Sequence, residues 1–250
     1  MDRKAYQEGV TGVDNFNTSF YPCEIKYPEA DERNIAEGEE DIVFNYIQDY
    51  INASFDALKN GTAMFQGKEF TFDQMVDVDS FVEFWLINEV MQNRDSGWGS
   101  VYMCKTKDGK MTFGPVWDFD WSMVTVFTGK PYQFTQLDLA NETHLLTNGS
   151  MLDWFIKDQD NYNFVCAKWN EIKDSISTVC NHLIQYQSKV LLHAKQDAIY
   201  WYGSLLYSKH ITSPQVQVET QYDYVIEFLL NRKEYLSSIL VESNYENLAK

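Results

Sequence analysis

From Ser150 to Tyr202 the chain carries neither glycine nor proline. No other stretch restricts the fold as strongly. Without breakers, the spacing of apolar residues decides the structure. Here Val165, Trp169, Ile172, Ile176, Val179, Leu183, Tyr186 and Val190 recur at steps of three and four, which is one face of an α-helix. The segment therefore reads as one long amphipathic helix, or two joined by a bend. Gly203 and Pro214 break it, and a last helix is expected from about Tyr222 to Leu240, with Tyr224, Val225, Phe228, Leu229 and Leu236 inward.

The same periodicity predicts two earlier helices. Over residues 37–59, Val43, Ile47, Tyr50, Ile51, Phe55 and Leu58 share a face. Glu37, Glu39, Glu40 and Asp41 crowd the expected first turn, where the helix dipole favours acids, and Asn60-Gly61 ends it. The second helix spans about Asp79 to Met91, capped by Asp77 or Asp79. It is apolar on most sides, with Glu83 and Glu89 as the charged exceptions, so it is expected to be buried on most sides.

Between these helical blocks, Val101–Lys105 and Met111–Val116 read as two strands. Lys107-Asp108-Gly109 forms the turn between them, with positive φ expected at Asp-Gly. Residues 1–34 look irregular, with one short strand within Phe20–Tyr27, and 124–149 reads as a polar, irregular connection. The fold class is α+β, mainly helical. The expected divisions are 1–36 as a remnant of an upstream lobe or a linker, 37–125 as the core, 126–149 as the connection and 150–250 as a helical subdomain.

Charge narrows the function. With 20 basic and 37 acidic residues the formal net charge is −17, which repels a phosphate backbone and excludes most nucleic-acid binding. It suits cationic partners or divalent metals. No apolar run approaches the ~20 residues of a membrane span, and no signal peptide is visible at Met1. The four cysteines, at 23, 104, 166 and 180, form no C-x-x-C pair, and the four histidines show no zinc-binding spacing. Glycine-rich phosphate loops and the G-x-S-x-G elbow are absent from the sequence.

The chemistry gathers around the hairpin. Asp95 stands just before its first strand and Asp118 just after its second. Paired strands lie about 4.8 Å apart, so the two aspartates are expected to meet at the hairpin's open end, with Asn93 and Asp120 near them. Clustered carboxylates repel unless a cation neutralises them. Oxygen ligands without His or Cys point to Mg²⁺, Mn²⁺ or Ca²⁺ rather than zinc. Protein kinases use a related order, with a base Asp in the catalytic loop and a metal-binding Asp further along.

The residues themselves resemble a known family. Asp77-x-Asp79-Ser80-Phe81, Asn88-Glu89, Asn93-x-Asp95, Ser100-x-Tyr102 and the block Phe113-Gly114-Pro115-Val116-Trp117-Asp118-Phe119-Asp120-Trp121 are similar to the CotH kinases, the spore-coat-protein-H-like atypical protein kinases. Phe20 and Ile25-Lys26-Tyr27-Pro28 resemble the segment preceding the catalytic region, and Trp169 with Phe228-Leu229-x-x-Arg232 the helical tail. The resemblance implies a protein-kinase-like C-terminal lobe that transfers the ATP γ-phosphate to Ser or Thr of a protein. It implies Asp95 as catalytic base with Asn93 beside it, Asp118 and Ser100 toward the nucleotide, and Asp118 and Asp120 as ligands of Mg²⁺ or Mn²⁺. It also implies a Ser-rich, basic protein substrate and an extracellular, cell-surface or spore-coat location. Two departures stand out. Ser100 occupies the position, five after the base, where a typical kinase has Asn. The N-terminal lobe with its phosphate-contacting lysine is not recognisable, and Lys4 and Lys26 are candidates only by elimination. The alternative reading is a non-catalytic cell-surface or glycan-associated binding module, a pseudokinase scaffold.

Overall fold

Asp41, rather than the acidic run before it, starts the first helix. In the computed structural model, which describes residues 14–97, 99–119, 122–123, 125–126, 133–134, 140–202 and 214–249, helix α1 spans Ile42–Asn60. One Asp41 oxygen accepts from the Phe44 backbone N–H at 2.8 Å, the bond that defines an N-cap. The other accepts from Arg33 Nε at 2.6 Å. Arg33 also reaches Asp14 and the Pro28 carbonyl. A buried guanidinium held by two carboxylates thus fixes where α1 begins, and Glu37, Glu39 and Glu40 fall in the turns before it. Gly61, at φ +86°, ends the helix by donating to the Ala57 carbonyl.

The chain divides into two units. The first comprises Met1–Trp85, Arg94–Asp118 and Leu145–Asp158; the second comprises Leu86–Asn93, Phe119–His144 and Gln159–Lys250.

The first unit holds three antiparallel hairpins among its described residues. Strand β1 (Asn15–Asn17) pairs with β2 (Pro22–Glu24), with Phe16 opposite Cys23. Strand β3 (Thr62–Phe65) pairs with β4 (Lys68–Thr71) through Gln66-Gly67, both at positive φ, the two-residue turn that matches strand twist. Strand β5 (Met103–Lys105) pairs with β6 (Met111–Phe113), shorter at the open end than the sequence predicts. Its turn also differs from expectation. Gly109 donates to the Thr106 carbonyl at 3.2 Å without adopting positive φ. The glycine leaves room for the Thr106 hydroxyl instead, since a Cβ there would stand 2.4 Å from Thr106 Oγ1 unless that side chain turned.

After the single turn α2 (Phe72–Met75), helix α3 runs Val78–Met91. Asp77 Oδ1 accepts from the Ser80 N–H at 2.8 Å, so Asp77 caps it. The same turn docks the hairpin. The Asp77 N–H donates to the Met111 carbonyl at 2.8 Å, and Ser80 Oγ accepts from the Phe113 N–H at 3.2 Å. Phe81, wholly buried, meets Phe72 and Phe113 edge-on and packs on Phe155 of α4 (Met151–Phe155). That aromatic cluster is the core joining helix, hairpin and α4.

The second unit is built on two long helices, α5 (Gln159–Tyr202) and α6 (Pro214–Ile239), followed by α7 (Tyr245–Leu248). The expected bend falls at 156–158, between α4 and α5. Pro214, read from sequence as a breaker, instead opens α6. The first helical position tolerates proline because its N–H would have no intrahelical partner. The two helices are antiparallel, since Trp169 donates to Ser237, Lys233 donates to Asp174, and Cys180 lies against the Ile226 carbonyl. The inward stripe of α5 passes through Cys180, and Val179 and Tyr186 are exposed. Strands β7 (Thr125–Val126) and β8 (Gln133–Phe134) form a two-residue ladder within the segment expected to be irregular.

All four cysteines are free, three buried and Cys104 exposed. Burial pushes the thiols of Cys23, Cys166 and Cys180 up, that of Cys23 to about 12, so few are thiolate near neutrality. Treatment of native protein with a thiol-reactive disulfide at pH 8 is expected to modify one cysteine promptly and the other three only after unfolding in urea. Cys104→Ser should remove the prompt phase. Truncation of Phe81 to Ala is expected to cost about 3–5 kcal/mol, read as a lower urea midpoint at unchanged slope.

Candidate active site

The hairpin's open end is closed by side chains beyond the paired strands. The Gly114 N–H donates to the Tyr102 carbonyl at 3.0 Å. The Trp117 indole N–H donates to the Ser100 carbonyl at 3.0 Å, and the rings of Tyr102 and Trp117 stand 5.2 Å apart. The two flanks are thereby stitched together at Ser100. Asp118 follows Trp117 directly, so its backbone leaves the hairpin at that stitch.

Both stitched flanks hold unusual backbone. Asp118 lies at φ +61° and Ser100 at φ +57°. Non-glycine residues enter this left-handed region at a cost, and aspartate is among those that tolerate it. Such conformations persist where surrounding contacts determine them and cluster at functional sites. Asp118 is exposed. Asp95 is half-buried in a 3₁₀ turn, Arg94–Gly97, and its carbonyl accepts from the Gly99 N–H at 2.7 Å. The oxygen donors named from sequence on this hairpin are Asp95, Ser100 and Asp118, all within the first unit. Asp120 lies outside the described residues. No group of three His, Cys, Asp or Glu side chains stands together as an ion cage among the described residues. A nucleotide-bound Mg²⁺ does not require one, since it is held by one or two carboxylates with phosphate oxygens and water completing the shell. The hard-oxygen donors at Asp118 and Ser100 fit an ion of that kind.

Asn93 belongs to the second unit and to a different set of contacts. It is buried; its side-chain amide donates to Asn88 Oδ1 at 2.9 Å and its backbone N–H to the Asn88 carbonyl at 3.0 Å. Its own carbonyl meets His144 Nε2 at 3.0 Å. The His144 N–H in turn donates to both carboxylate oxygens of Glu89.

Glu89 is the centre of this set. Its side chain and that of Arg232 are both wholly buried, with Arg232 Nη2 2.8 Å from Glu89 Oε1. Every arm of the guanidinium is used. Nη2 also donates to the Glu89 carbonyl, Nη1 to the carbonyls of Ala140 and Glu142, and Nε to that of Val90. Burial pulls the Arg232 guanidinium below its ordinary value, and the Glu89 charge opposes that pull. Arg232 thus satisfies the Val90 carbonyl and adds a second donor to that of Glu89 near the end of α3, where Met123 N–H takes the Met91 carbonyl, and it holds the segment that carries His144. The sequence signal was present, one of two glutamates on a helix apolar on most sides, but it did not name the partner.

A family model described as CotH kinase protein matches residues 11–236. The chain belongs to the CotH kinase family. No curated protein and no solved structure matches the chain. Membership makes a kinase-like enzyme the coarse functional assignment and implies use of ATP and a divalent ion in general terms.

Removing one partner of a buried pair leaves an uncompensated charge and costs about 3–5 kcal/mol, whereas replacing both with apolar residues is often neutral. Arg232→Met is expected to destabilise the protein by that amount. In a double-mutant cycle followed by urea unfolding, Glu89→Leu combined with Arg232→Met should recover most of the loss.

Proposed function

We propose that this chain is the catalytic lobe of an atypical protein kinase that transfers the γ-phosphoryl group of ATP to a Ser or Thr hydroxyl on a protein. The observation carrying this reading is the pair of aspartates borne by the two flanks of one hairpin, stitched at Trp117–Ser100, in a chain of the CotH kinase family.

In this reading Asp95 accepts the proton of the attacking hydroxyl. Asp118, exposed and at left-handed φ, is the principal ligand of Mg²⁺ or Mn²⁺, with the Ser100 hydroxyl as a further ligand. The ion, when bound, neutralises charge on the phosphates. The Ser100 hydroxyl is a weaker neutral donor than the amide of a typical kinase, which makes Asp118 the dominant contact. Asn93, its amide occupied by Asn88, takes no direct part in the transfer. The acidic surface, at net −17, favours approach of basic, Ser-rich substrates.

A ligand that binds only the native state raises its melting temperature. Wild-type protein is expected to show a thermal shift that requires Mn²⁺ and ATP together. Asp118→Asn should abolish that shift. Asp95→Asn should keep it while lowering phosphate incorporation into a basic Ser-rich peptide by roughly 10²-fold or more, the scale of a lost general base. Wild-type behaviour in both variants would sink the proposal.

A further inference from the structure

Helix α5 keeps a repeat that its own chain does not cover. Its apolar stripe runs from Val165 to Val190 by alternating steps of four and three, without exception. That is the seven-residue repeat of a helix wound with another helix in a left-handed supercoil. On a straight α-helix such a stripe turns about 20° every seven residues away from a fixed neighbour.

The contacts with α6 reveal that drift. Trp169 donates to Ser237, Ser177 accepts from Lys233, and Cys180 lies against the Ile226 carbonyl. Helix α6 therefore covers the line through Trp169, Ser177 and Cys180. The stripe starts beside that line, with Val165 and Trp169 buried, and then leaves it. Ile172, Ile176, Leu183 and Val190 are only half-buried, and Val179 and Tyr186 are 48% and 58% exposed. Among the described residues nothing covers this later part, yet its spacing does not relax.

Charge says what can cover it. From Ser175 to Gln196 the chain has no carboxylate, in a protein that has 37. Two copies at net −17 repel over most of their surfaces, and along this stretch no acids oppose each other. The residues flanking the stripe are mostly neutral, Asn181, Gln185, Gln187 and Ser188 among them. Lys189 lies with its ammonium 5.5 Å from the ring centroid of its own Tyr186. A strongly charged partner would find one fixed cation between Ile172 and Val190 beyond Lys173, too few to select it. A second copy brings the same apolar stripe and the same neutral flanks, the self-complementarity that a two-fold interface requires.

Size sets the strength. From Ile172 to Val190 the helix rises about 27 Å, and with α6 packed beside it the pair is about 20 Å wide. A footprint of order 500 Å² on each copy reaches the lower limit of specific interfaces. The pairing is therefore weak and concentration-dependent.

We propose that α5 pairs with α5 of a second copy of this chain along Ile172–Val190, in a weak symmetric dimer.

Sedimentation equilibrium of the full chain tests this. Between about 1 and about 500 µM, the range of a small interface, the mass is expected to rise from that of one chain towards that of two. Added NaCl should tighten the association, because it screens repulsion between two acidic copies and leaves the apolar contact intact. Val179→Glu combined with Tyr186→Glu, both at exposed positions, should weaken association at least tenfold while the thermal melt of dilute protein stays unchanged. Ser188→Glu, about half a turn from both on the far side of α5, should leave association as it is. Should the double variant melt early, the wild-type mass curve and the sign of its salt dependence still decide the matter. A mass of one chain throughout, association that salt weakens, or a dimer that survives the double substitution in folded protein would each overturn the proposal. The first of these includes the case in which a different protein occupies the stripe. No reading here involves nucleotide or phosphoryl transfer, so failure is distinct from failure of the kinase assignment.

Discussion

The buried pair of Glu89 and Arg232 is the interaction on which the second unit depends. A helix apolar on nearly every side has to end somewhere, and its last carbonyls then lie in a place water does not reach. Met123 N–H takes the Met91 carbonyl, and Arg232, with five donors on one rigid plane, takes those of Val90 and Glu89. Its position on α6 brings a helix from late in the chain against the end of α3, and its remaining donors hold the carbonyls of Ala140 and Glu142. His144, two residues on, then supports Asn93. Asn93 is thereby held by a chain of contacts that starts at the ion pair.

What was legible in the sequence follows from the range of the forces involved. Helices α3, α5 and α6 announce themselves because apolar periodicity over many residues is a strong, local signal. The β5–β6 hairpin is visible because an Asp-Gly turn sits between two apolar runs. Two helix starts were misplaced. Asp41 is the one aspartate of that acidic run and a better N-cap than Glu37, Glu39 or Glu40, and Arg33 ties its second oxygen to Asp14. Pro214 breaks a helix that precedes it but is equally compatible with the first position of one that follows. The short strand expected within Phe20–Tyr27 is β2, but β1 and the β3–β4 hairpin, at three or four residues per strand, are too short for alternation to register.

The candidate site divides along the same line. Asp95 and Asp118 are nominated from topology alone, as the acids that flank one hairpin. The left-handed backbone of Asp118 and Ser100, the indole bond that stitches the flanks and the role of Asn93 as a buried support could not be read that way. Each depends on a partner that no spacing rule points to. Glu89 was conspicuous as a charge on an apolar helix, yet Arg232 stands 143 positions away, beyond any pattern a single sequence displays.

Helix α5 has a consequence of its own. Over its first half it buries Tyr162, Val165, Cys166, Trp169 and Cys180, while from Asn181 to His193 no residue is fully buried. Its backbone hydrogen bonds are alike along that length, but the tertiary packing that protects them is not. Amide protons should then exchange with solvent on a gradient, slowly near Trp169 and much faster beyond Cys180, because opening the distal turns exposes little that was buried. One continuous helix would behave as two segments in time, a core member at one end and a loosely held rod at the other.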